Sequence, residues 1–178
     1  FASKVGMPLA GRLVGLLHDL GKYSQAFQNY LFSSSGVIKQ GEAGYTDPVC
    51  SKGKIVHSFA GGQAVWKRWG DGKAGIRAAA QMLALCIISH HSGLKDCVAP
   101  DGNINFMVAM ASPEEKTHYA ECLEKCGPDL AKEMESVLSG KTLKEICNVL
   151  SNLYKRMNDR LPFFELKKAP SQEPSKLN

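Results

Sequence analysis

Four of the five histidines in this chain stand where an apolar segment meets a polar pair or a turn: His18 in GLLHDLGK, His57 in IVHSFA, and the doublet His90-His91 in CIISHHSGL. Asp19 follows His18 directly, and Lys22 comes four positions after it. Singly, a histidine at the edge of a core is usually held by neighbouring groups. Together, four imidazoles and a carboxylate set among core-forming residues call for a shared partner, because an unpaired buried polar group is expensive. A metal ion suits this donor set. Imidazole selects Mn, Fe, Co, Ni or Zn over Ca, and the carboxylate adds a hard oxygen that accepts Mn or Mg.

Spacing shapes such a site. Neighbours on a helix point about 100° apart, so His18 and Asp19 straddle a site rather than face one ion together. His18 would take one metal while Asp19, with two oxygens, bridges to a second. His90 and His91 precede Gly93, so they belong at a helix end whose distorted last turn can aim both inward. Lys22 is either a solvated helix-end lysine or a cation that meets a phosphate beside the metals. Ser58 and Ser92 each follow a candidate ligand, as hydrogen-bond partners or as caps. His118, within EEKTHYAECLEK, reads as a surface histidine.

The elements that must position these groups are helices, for strand signals are scarce. Apolar periodicity predicts a helix over 8–31 with a break near Gly21, then a long exposed loop over 33–54 rich in Ser and Gly. Further helices are expected over 57–69 and 74–90. AAAQMLALCII in the latter is apolar nearly all round, as in a fully surrounded central helix. Ser112-Pro-Glu-Glu115 predicts a capped helix running to Gly127-Pro128, and a short helix then reaches about Gly140. Thr142-Leu-Lys-Glu145 predicts a second capping box opening the last helix. The tail 167–178, KKAPSQEPSKLN, reads as a linker or mobile loop.

At 178 residues, 44% hydrophobic and 22% charged, the chain suits one folded domain, expected over 1–166. No apolar run approaches a membrane span and no signal peptide is visible, so no membrane partner is expected. A net charge of +5 mildly favours a polyanionic partner. Lys67, Arg68, Lys73, Arg77 and Lys95 are the candidates to meet one. The six cysteines form no CxxC pair; Cys122 and Cys126, one turn apart, could bind metal but lack a matching second pair and read as ordinary thiols, and Cys86, in an apolar run, reads as a small hydrophobe. A reducing cytoplasm is the expected compartment.

HDLGK, then HS at His57, then SHHSGL over 89–94 resemble the HD superfamily of metal-dependent phosphohydrolases. More narrowly, the order H-D-x-x-K, H-S, H-H-x-G-L is similar to the HD nuclease domain of the type I CRISPR effector nuclease–helicase. The resemblance implies an all-α helical bundle with two divalent metal ions (Mn, Ni, Co, Fe or Mg) among its central helices. It implies cutting of single-stranded DNA, a superfamily-2 helicase on the same or a separate chain, and a guide-RNA surveillance complex as partner. By the same resemblance, Asp19 is the bridging carboxylate beside His18. His57, His90 and His91 are the second ion's ligands, and Lys22 is the basic residue at the site. Two family ligands have no counterpart: no histidine precedes His18, and no Asp-Ala-Asp stretch follows Leu153, since Asp159 lies in an unlike context. Truncation at both ends, or a site keeping mainly one ion, is expected. The alternative activity is an HD phosphohydrolase acting on nucleotides or cyclic nucleotides, and the alternative to any enzyme is a helical interaction domain with structural histidines.

Overall fold

In the computed structural model, which describes residues 2–91, 93 and 95–160, every regular element is helical. The tail expected over 167–178 lies outside the described residues. A proline opens α1 (Pro8–Leu17), where no intrahelical N–H bond is lost, and Ala10, Leu13 and Leu17 form its buried face. The helix stops at Leu17, ahead of the His-Asp pair rather than at Gly21. A 3-10 turn over Leu20–Tyr23 then swings the chain into α2 (Gln25–Ser34). Ser24 secures that change of direction: its Oγ donates to the Gly21 carbonyl at 2.9 Å and accepts from the Phe27 N–H at 3.2 Å. The irregular stretch that follows holds one short helix, α3 (Pro48–Ser51), capped by Asp47.

α4 (Ser58–Trp69) and α5 (Ala74–Ile88) make the most extensive helix pair, antiparallel across a tight turn. Small residues allow the approach. A Cβ at Gly61 would collide with the Leu17 carbonyl, and one at Gly62 would press on Ile88. α5 is not surrounded, contrary to what its composition predicts. Ala78, Met82 and Cys86 share one face at four-residue spacing and are exposed, because α1, α4 and α10 cover only part of the circumference.

Five further helices follow among the described residues: α6 (Asn105–Met110), α7 (Glu114–Thr117), α8 (Tyr119–Lys125), α9 (Gly127–Val137) and α10 (Gly140–Arg160). Neither expected capping box forms. Ser112 donates instead to the Val108 carbonyl at 3.1 Å, and extended Pro113 precedes α7. The single helix expected here is broken at His118, which sits in the left-handed region at φ 51°; Glu114 accepts from the Ala120 N–H at 2.7 Å across the break. Gly127 and Pro128 open α9 rather than only ending its predecessor. Thr142 Oγ1 donates to the Val137 carbonyl at 2.7 Å, while Glu145 reaches across the fold to accept from the Leu9 and Ala10 N–H groups at 3.3 and 2.9 Å. It thereby caps α1 from α10. Leu13, Leu17, Leu20, Val65 and Ile87 are fully buried at the centre of one continuous core. Among the described residues no helix is long and apolar enough to cross a membrane.

Candidate metal centre

Three chain ends meet above that core: the turn after α1, the start of α4 and the turn after α5. Antiparallel packing sets the first residue of α4 beside the last of α5, so His57, which precedes α4, faces His90 and His91, which follow Ser89 at the close of α5. Gly21 explains the glycine in HDLGK, for a Cβ there would collide with the His57 carbonyl. The HD turn and the His57 segment can therefore pack backbone to backbone.

Asp19, His57, His90 and His91 each offer a ligand atom within 4.8 Å of the others, close enough to hold one metal ion. Asp19 divides its two oxygens. Oδ1 lies 3.8 Å from both His57 Nε2 and His90 Nε2. Oδ2 accepts from Lys22 Nζ at 2.8 Å and lies 3.2 Å from His18 Nε2. His57 Nε2 and His91 Nε2 are 2.9 Å apart. His18 thus adjoins the four-residue group at Oδ2, its ring edge-on to that of His90 with centroids 5.1 Å apart.

The rings are oriented by backbone. His90 Nδ1 donates to the Ile87 carbonyl at 2.6 Å and His18 Nδ1 to the Gly15 carbonyl at 2.8 Å. A carbonyl can only accept, so Nδ1 carries a proton in both rings and Nε2 is the atom turned towards Asp19. Burial drives the His57 imidazole down to about 4, helped by His91 and Lys22 and opposed by Asp19, so it is a neutral imidazole at ordinary pH. Burial works to raise the Asp19 carboxyl, but the Lys22 hydrogen bond and the charges of His18, Lys22 and His57 outweigh it and hold the group below the usual carboxylate value. Asp19 Oδ1 and His90 Nε2 are buried without a hydrogen-bond partner among the described residues. Two orphaned lone-pair atoms at 3.8 Å, too far apart to satisfy one another, fit a cation between them. The donor set, three imidazoles and one carboxylate, fits a divalent transition metal.

Other expected groups fall elsewhere. Ser58 is buried at the start of α4, and Ser92 lies outside the described residues. His118 pairs with Glu121 at 3.2 Å, apart from the cluster. Cys122 and Cys126 are buried, and burial pushes the Cys122 thiol up to about 12. Four of the five basic residues expected to meet a polyanion lie at the far ends of their helices from the histidines. Lys67 and Arg68 close α4, while Lys73 and Arg77 open α5, each roughly 15–25 Å along its helix from the histidines. Lys67 lies over the Tyr119 ring at 3.9 Å, and Arg68 approaches Glu135 at 3.8 Å. Only Lys95 reaches the site.

A cleft of about 630 Å³ opens beside His57 and His91, walled by Phe27, Tyr30 and Phe59 and by Lys22, Lys52 and Lys95. A smaller recess of about 340 Å³ lies on the other side, at Asp19, Lys22, Tyr23 and Gln28. Sequence reading counts Phe27 and Tyr30 as core positions of a helix and passes over Lys52 in the loop. Their one available signal is the closeness of two aromatics, three residues apart, to the HD pair.

Helices alone, with a histidine–aspartate cluster seated between helix ends, define an HD-type metal-binding domain. The family described as Cas3, HD domain, matches residues 10–154, and the chain belongs to that family: the HD domain of the type I CRISPR effector nuclease–helicase. This is a family of CRISPR-associated, metal-dependent HD nucleases. No match was found among curated proteins or among solved structures.

Proposed function

We propose that the chain is a metal-dependent phosphodiesterase that cuts single-stranded DNA during CRISPR interference. The observation that carries this is the unpartnered pair Asp19 Oδ1 and His90 Nε2, buried at the meeting point of His57 and His91. Asp19, His57, His90 and His91 would hold a divalent ion (Mn, Ni, Co, Fe or Mg); Asp19 Oδ2 and His18 would begin a second position. Divalent ions, when bound, supply Lewis acidity and make water a usable nucleophile near neutral pH. The chain's own residues do the rest. Asp19 stays ionised, because Lys22 holds its Oδ2 at 2.8 Å. Lys22 also lines both cavities, where its positive charge would neutralise charge growing on a phosphate. His57 stays unprotonated and so keeps its lone pair for ligation.

A single strand suits the site because its backbone is flexible enough to bend into a walled cleft. The HD domain would occupy residues 1–166, with 167–178 as a linker. By family membership, the chain would work in the cytoplasm with a superfamily-2 helicase and a guide-RNA surveillance complex. One test separates this reading from a nucleotide phosphohydrolase using the same donors. The chain is loaded with Mn or Ni and offered circular single-stranded DNA beside a panel of nucleotides and cyclic dinucleotides. Opening of the circle is expected. Hydrolysis of nucleotides with the circle left intact would overturn the nuclease.

A further inference from the structure

The cleft beside His57 and His91 contains more than phosphodiester chemistry needs. Phosphates call for cations, yet this cavity has an aromatic wall leading away from a ligand histidine. Phe27 meets the His57 ring edge-on with centroids 5.0 Å apart, and Tyr30 follows at 6.1 Å from Phe27. Lys22, Lys52 and Lys95 line the same space, and among the described residues no carboxylate does. At about 630 Å³ it falls within the ~300–1,000 Å³ range of clefts that enclose small organic ligands. Cations beside aromatic faces, with no acid among them, fit a polyanion that carries planar rings.

We propose that this cleft is a base-stacking subsite, in which an unpaired nucleobase next to the scissile phosphate packs against Phe27 and Tyr30 while Lys52 and Lys95 hold flanking phosphates. The proposal rests on the nuclease reading and deepens it. Lys22 lines both this cleft and the recess at Asp19, Tyr23 and Gln28. A strand crossing from one cavity to the other therefore carries a phosphate past Lys22 and Asp19. Selection for single strands then resides in the aromatic wall rather than in the metal cluster, since a base within a duplex has both faces already stacked.

The test uses the 178-residue chain in excess chelator, so that binding is read without cleavage. Fluorescence anisotropy compares a short oligothymidylate with an abasic strand of equal phosphate count. The base-bearing strand is expected to bind about tenfold tighter. Tyr30→Ala should close that gap without weakening the abasic strand, and Tyr30→Trp should preserve it. Lys52→Ala should weaken both strands alike and flatten the salt dependence. Equal affinity for the two strands in the unaltered chain would overturn the proposal whatever the variants do, as would a gap that survives Tyr30→Ala. Cleavage of circular DNA with no base preference would remove the subsite and leave the nuclease standing. A base preference with no cleavage under any divalent ion would remove the nuclease and leave the cleft as a binding site.

Discussion

Asp19 meets two demands with one carboxylate. Oδ2 is engaged by Lys22 and His18, whereas Oδ1 faces His57 and His90 with nothing to bond. Asp19→Asn keeps the shape and removes the charge. It is expected to lower divalent-ion affinity by about 100-fold or more in calorimetric titration, with cleavage falling in parallel. The chelated variant should unfold at only a slightly lower urea concentration than the parent, because a half-exposed amide still accepts from Lys22 but no longer attracts its charge. Were Asp19 and the histidines there only to hold the core together, the variant would lose about 3–5 kcal/mol instead and metal would make no difference. His57 adds a pH signature to the chelated protein. The unfolded chain takes up a proton near the ordinary 6.5, but burial holds the folded imidazole to about 4. Between these values the unfolded state binds more protons, so stability falls as pH drops through this window. Urea midpoints measured down that range should decline, and His57→Gln should flatten the slope.

At the scale of helices, the cluster depends on contacts distant in sequence. Glu145 in α10 caps the first turn of α1, and the last turn of α1 delivers His18 and Asp19. Glu145→Ala is expected to destabilise the fold by about 1–2 kcal/mol, seen as a lower urea midpoint with unchanged slope, since two N–H groups lose their acceptor. Here the limits of sequence reading show. The Thr142–Glu145 spacing is that of a capping box, and only the tertiary fold shows that the glutamate serves another helix. The histidines and Asp19 were legible because their residue types are costly among leucines and isoleucines, whatever the topology. The basic rim was not legible, because Lys67 and Arg77 look close to the histidines along the chain and lie a helix away in space. Nor was the exposed stripe of α5 legible: Ala78, Met82 and Cys86 are as apolar as the buried face opposite. The break at His118 depends on a left-handed residue that propensity does not anticipate.

Taken as one body, the molecule separates what folds it from what the site binds. The fully buried side chains Leu13, Leu17, Leu20, Val65 and Ile87 belong to a continuous apolar core that includes none of the candidate ligands. Chelation should therefore leave the far-UV helical signal unchanged. A bound ion should still raise the melting temperature, because it favours the folded state alone. At a free concentration about 100 times Kd the gain is about 2.7 kcal/mol, which corresponds to roughly 5–10 °C for a chain of this size. Stoichiometry follows from the division of Asp19. Oδ1 belongs to a set of four residues, while on the Oδ2 side His18 is the one further imidazole among the described residues and Lys22 already occupies the oxygen. Titration calorimetry is thus expected to find one ion per chain held tightly and any second held far more weakly. Two ions of equal affinity would mean that the His18 side is as complete as the other, and that Lys22 leaves Asp19 when metal arrives.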